Sequence, residues 1–534
     1  MKKRWLAIAL SVSFPMILLA LFASIIHTQA KPRSVKQDGI SFFDWGPGHY
    51  STPDSDLSLS YLAATGADWI SLIHTGFLDS ITSTVIYSSS LYSPTDADLT
   101  HAIDRAHRLG LKVMLKIHVN LIPPNEVTQG WRIGEGFDEA KWAEWFVSYG
   151  DFINHYAELA QANDVEQYSI GNELVSTENR ENNWRDVIAG VRGRFIGPIT
   201  YSTGRGSLDW AEVDIRWWDA VDYIGINAYY PLTDKNDPTI DEINLAWQPY
   251  LTKLETLSAQ WNRPVLFTEI GYRSLDGSNR YPWDFQIGGQ SDIQEQADLY
   301  VGFLESVYNK PWFAGMFFWA WTPDPLEGSL CDTEYTPHNK PAENVLRKWF
   351  GMAERSLEQP VILPDYSRSQ YIYTDFLASG WENRSWYTSS LDFAASDYVY
   401  SGSRSIFVTF PTWGAVSLHH EAFITTPFYY LEFYVRGASM NQSLAVFAND
   451  QNNTQLRYRK VHDCRYIEGG SIGQDIWKLV QIPLSHLQAL DRPISRLSIA
   501  NWNPQQASFW IDNIRLVGAI LPFRLYLPQL LNFK

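Results

Sequence analysis

The sequence predicts a barrel of eight strand-helix units, (β/α)8, followed by an all-β sandwich, and three observations predict it. Between residue 39 and about residue 350, eight short apolar runs alternate with longer segments of helical periodicity. After about residue 355 the texture changes to short alternating runs separated by turn residues. The length, 534 residues, exceeds what one hydrophobic core ordinarily holds, so two domains are expected.

In chain order, the amino terminus comes first. Lys2, Lys3 and Arg4 precede an apolar run from Trp5 to Ile26, and "TQA" (28–30) offers a small residue for cleavage. Residues 1–30 read as a signal peptide or as a membrane anchor, since the run is long enough to span a bilayer. Either reading makes the body extracellular or cell-surface. The expected barrel occupies 37–354. Its eight runs are "GISFFDWG" (39–46), "ADWISLIHTG" (67–76), "LKVMLKIHVN" (111–120), "VEQYSIGNEL" (165–174), "GPITYSTG" (197–204), "DYIGINAYY" (222–230), "PVLFTEIGYRS" (264–274) and "FAGMFFWAWTPDP" (313–325). Continuous apolar runs suit strands of a parallel sheet buried on both faces. Between them, "PTDADLTHAIDRAHRLG" carries an Asp-rich start signal and stops at Gly110, while 138–163 and 291–309 keep apolar residues near a 3.6 period. A doubly wound open sheet is the weaker alternative, because no G-x-G-x-x-G follows the first strand. Residues 355–370, with two Pro and little periodicity, read as a linker, 371–518 as the sandwich and 519–534 as an apolar tail.

Composition narrows the function classes. A net charge of -17 repels phosphate backbones, which argues against nucleic-acid binding. The 23 Trp and 29 Tyr exceed what an apolar core needs and suit flat surfaces that stack on a sugar ring while still hydrogen-bonding. Cys331 and Cys464 lie in neither a metal-like nor a C-x-x-C spacing; a bridge between them is open in an oxidising compartment. No G-x-S-x-G, Walker loop or zinc-ligand set appears, so neither metal nor organic cofactor is expected. The adjacent His419 and His420 would face opposite ways on a strand, which suits a surface role better than a metal site. Trp217 and Trp218 read as packing residues and Asp324 as a turn residue.

The chemistry is expected from two acids. Glu173 closes the fourth run, behind Asn172, and Glu269 lies near the end of the seventh. In a parallel barrel both ends open on one mouth, where the loops converge. Paired carboxylates across a pocket are what glycoside hydrolysis needs, one as proton donor and the other as attacking or water-activating group.

The order Asn-Glu after strand four and Glu after strand seven resembles the large clan of retaining (β/α)8 glycosidases. Within it, "FTEIGYRS" (267–274), "FFWAWTPDP" (317–325), "GLKVMLKIHVN" (110–120) and Trp131-Arg132 are similar to glycoside hydrolase family 113, known for β-mannanases. The resemblance covers about residues 39–350. It implies Glu173 as acid/base and Glu269 as nucleophile, with Asn172 on the sugar 2-hydroxyl. It also implies Tyr229 or Tyr230 as donor to the nucleophile, Trp321 as the floor of a subsite, and His118, Trp131 and Arg132 as pocket lining. Where many clan members carry an Arg on strand two, this chain offers His74. The second domain resembles jelly-roll carbohydrate-binding modules, with Trp381, Trp386, Trp413 and Trp502 as stacking candidates.

The expectation is therefore a secreted, monomeric retaining hydrolase acting on a poly- or oligosaccharide, with β-mannan first. Another β-glycosidase specificity on the same barrel, and a non-catalytic cell-surface glycan binder, are the alternatives.

Overall fold

The computed structural model describes residues 36–123, 132–204, 215–357, 362–440, 442–503 and 505–520. The signal or anchor segment and most of the apolar tail lie outside the described residues.

Eight strands close a parallel barrel in chain order: β1 (Gln37–Phe42), β2 (Trp69–Leu78), β3 (Lys112–Leu121), β4 (Gln167–Asn172), β5 (Ile199–Gly204), β6 (Tyr223–Asn227), β7 (Val265–Ile270) and β8 (Phe313–Trp321). Strand β8 pairs back onto β1, with Gln37 opposite Gly315, so there is no open edge and the doubly wound alternative falls away. Seven α-helices among the described residues surround it: α1 (Pro53–Ala63), α2 (Asp96–Arg108), α3 (Glu139–Ala162), α4 (Glu181–Arg192), α5 (Ile240–Trp261), α6 (Ile293–Val307) and α7 (Pro341–Trp349). The start signal of α2 resolves into a capping box. Thr95 accepts from the Asp98 backbone N–H, and the Asp98 carboxylate returns to the Thr95 N–H.

Strand alternation sorts side chains between helix layer and barrel axis. On β3, Val113, Leu115 and Ile117 join the large core under the helices, whereas Met114 joins Trp69, Leu266 and Phe317 in a separate apolar cluster. Lys116 and His118 share the inward row with Met114. They stand nearer the carboxyl end of the strand, so the interior turns from apolar to charged toward the mouth.

Antiparallel strands from β9 (Leu363–Tyr373) to β19 (Ala507–Ile520) build the sandwich. One sheet has five strands in the order β10 (Glu382–Asn383), β13 (Ala415–Ile424), β18 (Pro493–Asn501), β15 (Leu444–Asp450) and β16 (Arg459–Lys460). The other runs β11 (Ser390–Ala395), β12 (Ser405–Phe410), β19, β14 (Tyr430–Gly437) and β17 (Lys478–Pro483), with β9 also on β19. Val416, Leu418, Val446, Ile499, Phe433 and Phe509 pack among the buried side chains between them. Residues 363–370, expected as linker, are part of β9. Most of that stretch is exposed or half-buried, so it lacks the apolar alternation that marks a strand in sequence.

The sandwich is fastened to the barrel. Cys331, in the loop after β8, is disulfide-bonded to Cys464, with Cα atoms 5.6 Å apart. Beside it Asp324 accepts from Arg457 (3.1 Å) and Arg459 (3.0 Å), Arg457 and Gln488 reach Asp54 of α1, and Arg465 donates to the Leu326 carbonyl at 2.7 Å. Asp324 also caps its own turn through the Leu326 N–H, so it does more than the turn role expected of it.

Candidate active site

Both acids stand at the carboxyl end of the barrel, and both strands slip register just before them. The β4–β5 pairing shifts between Ser169 and Asn172, and the β7–β8 pairing between Phe267 and Ile270. Glu173 then takes a left-handed backbone (φ 54°), uncommon for a residue with a side chain. Its N–H bonds the Ser202 carbonyl (2.8 Å), and the next N–H bonds the Tyr201 hydroxyl (2.9 Å), which fixes the turn. The carboxylate lies over Gly204 at the end of β5. A Cβ there would sit 2.2 Å from Glu173 Oε1, so only glycine leaves the acid its place.

Glu269 is nearly enclosed, its side chain 6% exposed. Tyr229 donates to its Oε2 at 2.8 Å and Lys116 to its Oε1 at 2.5 Å. The Lys116 ammonium, fully buried, also donates to Asn227 Oδ1 at 3.2 Å. The Asn227 amide in turn donates to Glu173 Oε1 (2.7 Å) and to Asn172 Oδ1 (2.9 Å), while Thr268 donates to its oxygen (3.0 Å). One hydrogen-bonded chain, Glu269–Lys116–Asn227–Glu173, therefore links the two acids across the barrel.

Electrostatics differ along this chain. Burial raises the Glu173 carboxyl above its ordinary value and the charge of Glu269 adds to it, against the opposing Asn227 hydrogen bond and Lys116 charge. Burial lowers Lys116, opposed by Glu269. His118, 3.7 Å from Glu269, is held well below the usual imidazole value by burial and by Lys116, so it faces the pocket neutral.

The expected site residues separate. Glu173, Glu269, Asn172, Tyr229 and His118 come together. Tyr230 does not: it is fully buried and stacks on Tyr250 at 4.5 Å. Trp321 is not a subsite floor. It is buried, donates to Ser58 Oγ (2.9 Å) and stacks on His338 at 4.3 Å, between α1 and the loop after β8. The β1–β8 register slips by one residue between Phe318 and Trp321, so alternation cannot be carried that far. Trp319 has the inward position. It stacks on Phe43 (4.8 Å, 20°) and runs parallel to His118 (6.2 Å, 13°), and Trp45 meets Phe43 edge-on at 5.8 Å. Arg132 pairs with Glu135 on the loop after β3 and reaches neither acid; Trp131 lies outside the described residues. His74 faces the helix layer, bonded to Ser88 (3.2 Å) and 4.1 Å from the Tyr156 ring, with burial lowering it to about 3. Lys116 supplies the cation beside Glu269 instead. Its signal was present, as a Lys two residues before His118 in an otherwise apolar run. Asn227 had no comparable signal beyond its place at a strand end.

Asp237, Asp276, Asp292 and Glu295, after β6 and β7, also bring carboxylate oxygens within 4.8 Å of one another. Glu295 is already used by Gly277 N–H (2.8 Å) and Asn279 N–H (3.2 Å), and Asp237 is raised by a hydrogen bond to Asp292.

A closed parallel barrel with two linked carboxylates at its carboxyl mouth, walled by aromatic rings, defines a glycoside hydrolase. The chain belongs to Glycoside Hydrolase Family 113, whose model matches residues 42–340. The GH113 β-mannanase AaManA from Alicyclobacillus acidocaldarius, solved in complex with ManMIm, is 31% identical with a TM-score of 0.53, over 59% of this chain and 97% of that one. A GH113 β-1,4-mannanase is 30% identical with a TM-score of 0.53, over 59% and 98%. Residues 372–519 match the model of the expansin-like protein C-terminal domain. No curated protein matches the chain.

Proposed function

We propose that this hydrolase is an exported β-mannanase acting by double displacement, with Glu269 as nucleophile and Glu173 as acid/base. The observation that carries the roles is the asymmetry of the two carboxyls. Glu269 is enclosed and accepts from an ammonium and a phenol, which aim it and compensate its buried charge. Glu173 keeps exposed surface at the mouth, while the protein crowded around its carboxyl raises its proton affinity, as a donor to a leaving oxygen must. In the first step Glu269 attacks the anomeric carbon, the glycosidic bond breaks, and Glu173 protonates the departing oxygen. In the second, Glu173 takes a proton from water, which attacks the anomeric carbon and frees Glu269. The Asn172 oxygen is engaged by Asn227, so its amide hydrogens are the end available to the sugar 2-hydroxyl. Trp319 and Phe43 supply an apolar face for a ring beside the scissile bond.

The β-mannanase specificity rests on the two similar enzymes, and export is supported by the Cys331–Cys464 bridge, which persists in oxidising compartments. The test is a panel of β-manno-, gluco-, xylo- and galacto-oligosaccharides scored for new reducing ends. Cleavage of the manno series, lost in both Glu173→Gln and Glu269→Gln, is expected. Cleavage of another series alone overturns the specificity, and binding without turnover overturns the mechanism.

A further inference from the structure

The clamp between the domains has a consequence for substrate length. Arg457 joins Asp54, in the first turn of α1, to Asp324, in the loop after β8. Phe43 and Trp45 lie in the loop between β1 and α1 and Trp319 near the end of β8, the aromatic wall of the catalytic mouth. Tyr458 follows Arg457 directly. It stacks on Trp502 (4.8 Å, 27°), and Trp502 meets Trp413 edge-on at 5.4 Å. The three rings brace one another, yet Tyr458 and Trp413 keep 41% and 63% of their surface exposed. The negative charge of Asp44, in the loop that carries Trp45, acts on the Tyr458 hydroxyl, after burial the next largest influence raising it. Rigid, exposed rings on a fixed mount, next to a cleft already walled by aromatics, fit a sugar chain better than a protein partner, which would need a broader apolar patch.

We propose that Tyr458, Trp502 and Trp413 form distal sugar subsites continuous with the catalytic mouth, so that the far end of a β-linked glycan held in the barrel rests on the sandwich. The inference builds on the glycanase reading above and adds the substrate class: long chains, with the disulfide and the arginine clamp setting the distance between cleft and platform. The sandwich then acts as an extension of the cleft and not as a freely tethered anchor.

The experiment compares the full chain with its Trp413→Ala/Tyr458→Ala variant on β-1,4-linked manno-oligosaccharides of increasing length, from trisaccharide to soluble polymer. For the parent, kcat/KM is expected to rise again once a chain outgrows the barrel. In the double variant that second rise falls by roughly fivefold while the trisaccharide rate is kept, and Trp413→Phe/Tyr458→Phe restores it. The same ladder titrated calorimetrically into the Glu173→Gln protein should show the same length dependence in Kd. An unchanged length dependence overturns the proposal, as does an equal loss at every length, which marks a structural role. A parent that binds the ladder with the predicted length dependence but cleaves nothing refutes the catalytic reading and leaves the platform standing.

Discussion

Removing the Lys116 ammonium should disable the site without touching either acid. Lys116→Met keeps the length and apolar stem of the side chain but deletes a charge that is fully buried, 2.5 Å from Glu269 and 3.2 Å from Asn227. Glu269 would keep Tyr229 as a donor, and Asn227 would lose one of the two donors, with Thr268 the other, that turn its amide toward Glu173. A charge-assisted hydrogen bond contributes about 1.5–3 kcal/mol, so kcat/KM should fall by about tenfold to a hundredfold. Breaking a buried pair while leaving one charge behind costs about 3–5 kcal/mol of stability, so Tm should drop by several degrees as well. The distinguishing comparison is Lys116→Gln, which keeps a donor, loses the charge and should recover part of the rate. A Lys116→Met enzyme with unchanged kcat/KM would refute the role given to this chain of contacts.

Because Glu173 must be protonated to act as acid and its carboxyl is raised by burial and by Glu269, activity on oligosaccharides should persist above the ordinary carboxylate range and decline as pH rises through the raised value, whereas release of an aryl leaving group that needs no protonation should lack that alkaline limb. Trp319→Ala should raise KM for oligosaccharides with little change in Tm, whereas Trp321→Ala, which empties a packed site, should cost about 3–5 kcal/mol and lower Tm first. Burial raises the Asp324 carboxyl, but the Arg459 and Arg457 charges outweigh it and hold it below its usual value. A depressed carboxylate stabilises above its unfolded pKa and loses that contribution as pH falls through the folded one, so the clamp should weaken only in acid, below the ordinary aspartate value. In Cys331→Ser, which also lacks the bridge, limited proteolysis across a descending pH series should show the sandwich released at higher pH than in the parent.

Much of the barrel was legible because a parallel strand buried on both faces must be an apolar run, and the acids were legible because each ends such a run. What escaped were features set by single-residue slips and by contacts between elements. Trp319 and Trp321 are equally apolar and two apart, so alternation assigns them one face; the register shift before Trp321 separates them. Lys116 sits in a run apolar enough to read as strand, and its meaning depends on which of two faces the strand turns to the axis. Asn227 matters because β6 places it opposite Glu269, a pairing no local pattern announces. Strand β9 hides because neither of its faces is consistently buried, and the disulfide joins residues 133 positions apart whose proximity only the docked domains create.

The central claim is that Glu269 becomes covalently joined to the sugar while Glu173 exchanges protons. Intact-mass analysis after incubation with a 2-deoxy-2-fluoro mannosyl substrate bearing a good leaving group tests it most directly, followed by peptide mapping. The account predicts one added fluorosugar, carried on the peptide containing Glu269 and absent from Glu269→Gln. No adduct alongside normal turnover, or an adduct on any other side chain, would contradict it.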